Sequence, residues 1–438
     1  MLRELNSERI QYIFRNMDDS VCITGMGGEL LYANPAAEKL FGLRAGDRPK
    51  LWEAIPYVEG NDELIQLFID SVMEKRKSFN ALVDYVNNEG RLFRLHVSLT
   101  CEPSDPGLFL VVISDLTQSV RVKSAFARYT SEDIADYVLT APDGEKQGGK
   151  AQEVTILMSD LRGFTAMSSR LSSTQLVSVL NHYFESMSAV IERHRGTIIE
   201  FLGDGIFVVF GAPKELPDHA SAAVRCAIEM QNAMEAVNAW NRENGYPELD
   251  MGIGVNTGTV VVGNIGSEKK MKYGCMGEAV NLAGRLESFT VRGQVFISES
   301  TRERASEEVS VKSESSFLPK GATHDMRFYD ISGIGSCKLN DASGVSDWIT
   351  LSGKALVFYV LEEKTVDHTE HTGSLTRISA DNRFALLATG SKLKPFQNLM
   401  LRIGGRDAYA KIVSQEGNDF RLCFTSVPEN FPDLVKTL

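Results

Sequence analysis

The chain lacks features that would each assign it to a broad class of protein. No apolar run reaches the roughly 20 residues that a membrane-spanning helix needs, and the N-terminus has no apolar stretch of the signal-peptide kind. Positive charge is in the minority, since 46 lysine and arginine residues face 58 aspartate and glutamate residues, for a net charge of −12. This balance argues against nucleic acid or an anionic membrane as the main partner.

Cysteine is sparse and shows no metal-site spacing. The six cysteines are scattered over the chain, at Cys22, Cys101, Cys226, Cys275, Cys337 and Cys423. Such a pattern is typical of reduced cytosolic thiols, and we therefore expect a cytoplasmic protein. The 438 residues, of which 43% are hydrophobic and 24% charged, suit a globular chain of two to four domains.

Residues 198–210 predict a tight β-hairpin. Two apolar, β-rich runs flank a Gly-Asp-Gly turn at residues 203–205. Two carboxylates interrupt the apolar pattern, Glu200 within the first strand and Asp204 at the turn. Because an unpaired buried carboxylate is costly, each should have a cationic or hydrogen-bond-donating partner. Taken alone, the hairpin fits equally well a turn aspartate and an edge-strand glutamate that face water.

A second predicted strand, at residues 154–160, ends in Asp160 and leads into a glycine-containing helical region. Free N–H groups at a helix N-terminus can bind phosphate, and an aspartate beside them can hold Mg²⁺ through oxygen. Asp160 and Asp204, on neighbouring strand ends, would suit a two-metal site for in-line attack on a phosphate.

Three sequence blocks, in order, resemble the signature blocks of class III nucleotidyl cyclases. They are residues 159–165 (SDLRGFT), 202–205 (LGDG) and 280–287 (VNLAGRLE). The resemblance covers about residues 151–335, where strands and helices alternate in a βαββαβ manner. This order predicts an α+β, ferredoxin-like sheet with helices on one face. The resemblance implies cyclisation of a nucleoside triphosphate, with the ribose 3′-hydroxyl attacking the α-phosphate and pyrophosphate leaving.

The resemblance also implies a role for each motif residue. Asp160 and Asp204 would hold two Mg²⁺ or Mn²⁺ ions, Asn281 would orient the ribose, and Arg285 would stabilise charge on the α-phosphate. Lys320 is a candidate for the outer phosphates. The backbone that would cradle phosphate is that of Leu161, Arg162, Gly163 and Phe164.

Asn281 and Arg285, four residues apart, should share one helix face. Taken alone, such a pair is usually surface decoration, and the motif order favours the functional role. In the family, the metal-binding and Asn/Arg halves come from different subunits. We therefore expect a homodimer with two composite sites, formed through the cyclase domain and a connector helix.

Two positions bear on the choice of base. Glu200 stands four residues before the metal aspartate, where adenylyl cyclases have lysine. A carboxylate can accept both N1–H and N2–H of guanine, whereas it would face the bare N1 acceptor of adenine with repulsion. The second position is Gly274, which offers adenine's amino group no acceptor and guanine O6 no partner. GTP is therefore the expected substrate.

The flanking regions resemble regulatory modules. Residues 1–116 resemble a PAS sensor domain, mainly through residues 28–35 (GELLYANP), and carry no identifiable cofactor motif. Residues 117–150 predict a helical signalling connector, in which Ser131 could cap a second helix, and a mobile linker over 143–150. Residues 345–438 predict a small β-barrel.

The C-terminal segment faintly resembles a PilZ domain, but it departs from the ligand motifs of that family. The Asp-x-Ser-x-x-Gly motif keeps only Ser379, and no arginine lies between Arg327 and Arg377. We therefore expect no binding of cyclic di-GMP. Three alternatives to a guanylyl cyclase stay open: an adenylyl cyclase, a catalytically silent nucleotide-binding scaffold, and a protein led by a cyclic-dinucleotide-responsive C-terminal module.

Overall fold

The chain forms two compact units, residues 1–129 and 130–438. A computed structural model of the chain describes residues 7–44, 47–75, 78–101, 107–168, 170–318, 325–340, 347–362, 365–366, 369–428 and 430–436. Lys320 lies outside the described residues. Among the described residues, no helix combines the length and apolar character needed to cross a membrane.

The N-terminal unit is a five-stranded antiparallel sheet with helices packed around it, in strand order β2-β1-β5-β4-β3. Asn34 caps α2, because its Oδ1 accepts a hydrogen bond from Ala37 N at 3.0 Å. The elements of the N-terminal unit are α1 (Ser7–Arg15), β1 (Ser20–Thr24), β2 (Leu30–Ala33), α2 (Pro35–Phe41), a 3₁₀ turn (Leu51–Ala54), α3 (Asp62–Ile69), a π-helical turn (Asp70–Lys75), β3 (Phe79–Val86), β4 (Leu92–Cys101), β5 (Phe109–Asp115) and α4 (Thr117–Tyr129).

The second unit begins with a helix and continues into a mixed sheet, which together we call the central domain. The predicted cap of the first helix is confirmed, because Ser131 Oγ accepts from Ile134 N. The elements are α5 (Glu132–Thr140), β6 (Gly148–Arg162), α6 (Phe164–Ser168), α7 (Ser173–Arg193), β7 (Thr197–Leu202), β8 (Gly205–Phe210), α8 (His219–Glu243), β9 (Asp250–Ser267), β10 (Lys270–Met276), α9 (Glu278–Phe289), β11 (Val295–Ser298), α10 (Glu299–Arg304), β12 (Val309–Phe317), β13 (Met326–Ile334) and β14 (Cys337–Lys338).

The sheet of the central domain runs in the order β12-β13-β11-β9-β6-β8-β7, with β10 paired to β9. Alternate residues of the buried strands serve two cores. Leu157 and Val208 pack with α7 and α8 on one face, whereas Ile156 and Val209 pack with Ala283 of α9 on the other. The expectation of helices on a single face is therefore wrong. The short helix α9 also carries an apolar side, and burying it requires the second face.

One predicted boundary moves. Residues 148–150, expected to belong to a mobile linker, form the start of β6 and pair with β9 from Gly148 opposite Asn264 onward. The side chain of Asn264 holds the preceding turn as well, because its Nδ2 donates to Gly144 O at 2.6 Å. The long strand β6 is thus tied along its whole length before it reaches the motif residues at its end.

The C-terminal part is a closed six-stranded barrel, as predicted. The strands run β18-β19-β22-β21-β20-β16, and pairing between β16 and β18 closes the ring. Its apolar side chains form a core of their own. The elements are β15 (Trp348–Thr350), β16 (Ala355–Glu362), β17 (Thr365–Val366), β18 (His371–Ser379), β19 (Phe384–Ala388), β20 (Asn398–Ile403), β21 (Arg406–Glu416), β22 (Asp419–Ser426) and α11 (Phe431–Val435).

Gly254 on β9 sets the distance at which α9 packs on the sheet. A Cβ atom there would lie 2.5 Å from Ala283 O and 2.8 Å from Glu287 Cα. Gly254→Ala should therefore lower the free energy of unfolding by about 1–3 kcal/mol, because helix backbone must move to admit a methyl group. The midpoint of urea-induced unfolding measures this change in the free energy of unfolding. Gly390→Ala is the control, since a Cβ at Gly390 meets nothing within 4 Å; equal midpoints for the two variants would contradict the packing argument.

Candidate functional site

Asp160 and Asp204 lie side by side at the ends of adjacent strands. Strand β6 pairs with β8 as far as Ser159 opposite Ile206, so Asp160 is the next residue beyond that ladder. Asp204 occupies the two-residue turn between β7 and β8, as the Gly-Asp-Gly pattern predicts. Gly205 allows the close approach, since a Cβ there would lie 2.8 Å from Ser159 O and 3.3 Å from Asp160 Oδ1.

Burial disfavours the charged form of both carboxylates. Burial raises the pKa of Asp204 to about 6, and the neighbouring charge of Asp160 adds to the rise. Burial also raises the pKa of Asp160, against the lowering effect of nearby Arg162. Both carboxylates accept a hydrogen bond from the Leu161 N–H. The pair therefore concentrates negative charge that the chain's own cations only partly offset.

This donor set suits a divalent cation. Carboxylate oxygens are the ligands that Mg²⁺ and Mn²⁺ prefer, and a cation between Asp160 and Asp204 would relieve their mutual repulsion. The described residues contain no group of three or more histidine, cysteine, aspartate or glutamate side chains that could hold a metal. The candidate metal site is thus a two-carboxylate site, whose remaining ligands would come from backbone, water or a bound phosphate.

The segment expected to cradle phosphate has several other partners. The Leu161 N–H is directed at the two aspartates. Arg162 is still part of the β6–β9 ladder, opposite Asp250. Gly163 has φ +69°, and a Cβ there would collide with the carbonyl oxygen of Thr425 in the barrel. A phosphate-binding role for this backbone stays a prediction.

The Arg162 side chain points into the protein. Its guanidinium forms an ion pair with Glu287 and donates to Thr290 Oγ1 at 2.8 Å, while its Nη1 lies 3.6 Å from Asp160 Oδ2. The side chain is only 13% exposed. Arg162 therefore connects the metal-site strand to the end of α9, a contact that the motif alone does not reveal.

Glu200 is not buried in an apolar sheet. Strand β7 is the edge strand, the Glu200 side chain is 43% exposed, and its Oε2 accepts a hydrogen bond from Lys272 Nζ at 2.7 Å. The expected cationic partner is thus present, and the expected burial is wrong. Lys272 lies two residues before Gly274 on β10, so both candidate base-recognition positions face the same part of the domain.

Asn281 and Arg285 lie on one side of α9, opposite the fully buried Ala283. Both line a cleft of about 620 Å³, together with Thr257 of β9 and Phe317 of β12. Both also line a second cleft of about 720 Å³ on the barrel side. Neither aspartate of the candidate metal site lines either cleft.

Sequence reasoning missed Lys272 and Glu287 as parts of the site. The sequence offered a signal for Lys272, since it lies on the same strand face as Gly274 and opposite charge was required near Glu200. Glu287 closes the third motif block but carries no pattern that shows its pairing with Arg162. Lys320 cannot be placed, because it lies outside the described residues.

Comparison with known proteins gives two family matches. Residues 147–333 match the family described as the adenylate and guanylate cyclase catalytic domain, and residues 8–73 match a PAS domain. Adenylate cyclase 1 of Rhizobium meliloti (strain 1021) is 36% identical over 218 residues, which is 48% of this chain and 31% of that protein. The chain thus spans about a third of the length of this curated relative.

Solved structures are similar over the same region. The crystal structure of the guanylyl cyclase Cya2 is 49% identical, with a TM-score of 0.43, and the match covers 44% of this chain and 100% of that one. The adenylyl cyclase CyaB from P. aeruginosa is 32% identical, with a TM-score of 0.40, over 43% of this chain and 97% of that one.

The candidate metal site predicts a stabilising effect of divalent cations. Mn²⁺ should raise the melting temperature of the full chain, because a cation at about 100 times its Kd stabilises the folded state by about 2.7 kcal/mol. Asp160→Asn and Asp204→Asn should each lose most of this rise while staying folded. Asp407→Asn, which alters an exposed barrel carboxylate paired with Arg402, is the control and should keep it. An undiminished rise in both site variants would contradict the assignment.

Proposed function

Because the chain belongs to the class III cyclases and has an N-terminal PAS domain, we propose that it is a guanylyl cyclase, which converts GTP to cyclic GMP and pyrophosphate. The observation that carries the choice of GTP is the carboxylate of Glu200, four residues before Asp204 on the same hairpin and oriented by Lys272. A carboxylate accepts the adjacent N1–H and N2–H donors of guanine and repels the N1 acceptor of adenine.

Lys272 provides the hydrogen-bond donor for guanine O6 that Gly274 cannot provide. Guanine carries the O6 acceptor beside N1–H, so the ammonium that already contacts Glu200 can donate to O6 while Glu200 accepts from the other two positions. The 2.7 Å ion pair keeps both groups in place before the base arrives. Glu200 and Lys272 together thus present the acceptor and donor pattern that guanine requires.

The remaining roles follow from the residues that the motifs contribute. Asp160 and Asp204 would hold two Mg²⁺ or Mn²⁺ ions, which when bound lower the pKa of the 3′-hydroxyl and neutralise the leaving phosphates. Asn281 orients the ribose, and Arg285 stabilises the charge that gathers on the α-phosphate. Lys320 and the backbone of residues 161–164 bind the outer phosphates.

We also propose that the active form is a homodimer with two composite sites. The clefts lined by Asn281 and Arg285 contain neither Asp160 nor Asp204, which supports a site completed by a second copy of the chain. In the same proposal the PAS domain regulates turnover through the connector. In this proposal the protein acts in the cytoplasm, which the scattered cysteines without metal-site spacing support.

Product identification tests the choice of base. With Mn²⁺ and equal GTP and ATP, the chain should yield mainly cyclic GMP by chromatography, and mainly cyclic AMP would overturn the assignment in favour of an adenylyl cyclase. Glu200→Lys should lower the ratio of GTP to ATP activity by about tenfold or more, because a mismatched polar pair costs about 1–3 kcal/mol. Glu153→Lys is the control, since it breaks an exposed ion pair with Arg304 elsewhere and should leave the ratio unchanged.

Mixing of inactive variants tests the composite site. Asp204→Asn and Arg285→Ala should each abolish turnover alone, which also separates a cyclase from a silent nucleotide-binding scaffold. The two variants, co-expressed and purified as an unselected mixture of dimers, should recover about a quarter of wild-type activity. Half of the dimers in that mixture contain one copy of each variant, and each such dimer has one intact site of two. Asp204→Asn with Asp160→Asn should stay inactive, since both changes fall in the same half. No recovery in the first mixture would rule out the two-chain site.

A further inference from the structure

The barrel contacts the end of α9 through two side chains that belong to none of the motifs, Phe396 and Lys411. Hydrogen bonds join the two positions within the barrel, since Phe396 N donates to Ile412 O at 2.9 Å and Ile412 N donates to Gln397 O at 3.0 Å. Both contacts therefore come from one hydrogen-bonded piece of the barrel, which we call the clamp (Phe396 and Lys411).

Lys411 binds the C-terminal end of α9. Its Nζ donates to the carbonyl oxygens of Ser288 and Thr290, the latter at 3.1 Å. A helix end presents unpaired carbonyls and a partial negative charge, so a cation is stabilising there. Lys411 is only 4% exposed, and burying an ammonium is costly unless it is well paired. The pairing of Lys411 with the carbonyls at the end of α9 is therefore a specific contact, which offsets the cost of burying its ammonium group.

The charged groups around Lys411 come both from strand β6, which carries Asp160, and from helix α9. Burial, with the Arg162 guanidinium acting in the same direction, lowers the pKa of Lys411 to about 8, and the carboxylates of Glu287 and Asp160 act in the opposite direction. Cys423 of the barrel also faces it. Lys411 therefore lies in the same buried network that joins the metal-site strand to α9.

Phe396 inserts into a cluster of phenylalanines from the central domain. Its ring stacks on Phe289 of α9 at 5.1 Å and lies 5.5 Å from Phe328. Phe396 has φ +69°, an unfavourable conformation for a bulky side chain. The surrounding rings must offset that strain, so this contact fixes the position of both partners.

Phe289 contacts both Phe396 and Arg285. The two residues are four apart on α9, and the Arg285 guanidinium lies 5.7 Å from the Phe289 ring centroid. Phe396 also lines the cleft of about 720 Å³ beside Asn281 and Arg285. The Phe289 ring therefore connects the barrel to Arg285, the residue expected to stabilise the transition state.

We propose that the clamp is a positioning surface for α9, which holds the last turn of that helix so that Arg285 stays where turnover requires it. Phe396 and Lys411 act through Phe289 and the helix end without touching substrate. The inference rests on the proposed function for the role of Arg285. It gives the barrel a part in catalysis that does not need a cyclic-dinucleotide ligand.

Kinetics of full-length clamp variants test the proposal. Phe396→Ala and Lys411→Met should each lower kcat for GTP with Mn²⁺ by about tenfold or more and change KM by less than about twofold, because a displaced catalytic group affects turnover more than binding. Phe396→Tyr keeps the ring and should restore kcat. A kcat within about twofold of wild type in both loss variants would overturn the proposal.

Two controls separate positioning from general loss of stability. Arg383→Gln removes the exposed ion pair with Glu248, a barrel contact made away from α9, and should leave kcat unchanged. Leu387→Ala weakens the barrel core without touching α9. If Leu387→Ala lowers kcat as much as Phe396→Ala under conditions where both proteins are folded, the clamp has no specific role and the proposal fails.

Amide hydrogen exchange decides the inference independently of activity. Peptides covering residues 278–290 should exchange about tenfold faster or more in Phe396→Ala and Lys411→Met than in wild type or Arg383→Gln. Unchanged exchange would overturn the clamp even in an active enzyme. If the wild type makes cyclic nucleotide from neither GTP nor ATP, the proposed function fails, while exchange in α9 still shows whether the barrel holds the helix.

Discussion

The close approach of two carboxylates is the constraint on which the rest of the site depends. Asp160 is the first residue beyond the ladder between β6 and β8, and Asp204 lies beside it because Gly205 leaves room for the turn to approach Ser159 closely. Burial and the neighbouring charge of Asp160 raise the pKa of Asp204, so the fold holds a carboxylate whose charged form a bound cation would stabilise. The stable sheet around β6 makes this possible.

Much of this arrangement could be predicted from local pattern. The Gly-Asp-Gly turn and the strand that carries Asp160 appear where turn chemistry and the sequence pattern place them. The barrel also follows from short strands separated by turn residues. These features depend on neighbours in the sequence, and a single chain contains that information.

The rest depends on contacts between distant segments, which no local pattern records. Glu200 is exposed because β7 lies at the edge of the sheet, and its partner Lys272 is 72 residues away. Arg162, expected to serve phosphate through its backbone, directs its side chain to Glu287, 125 residues on. Helices occupy both sheet faces because α9 needs a buried surface of its own. Each of these outcomes is set by tertiary packing.

An alternating row of charge joins the parts into one structure. Asp160, Arg162, Glu287 and Lys411 follow one another from the metal-site strand to the barrel, and each has an opposite charge beside it. Buried ions of this kind contribute little net stability, but removing one leaves its neighbour unpaired at a high cost. The row therefore fixes geometry more than it adds stability. Arg162 of β6 pairs with Glu287 of α9, and Lys411 of the barrel donates to the carbonyls at the end of that helix. The strand of Asp160 and the barrel therefore both restrain the last turn of α9, and this restraint is what a site shared between two chains would need from each of them.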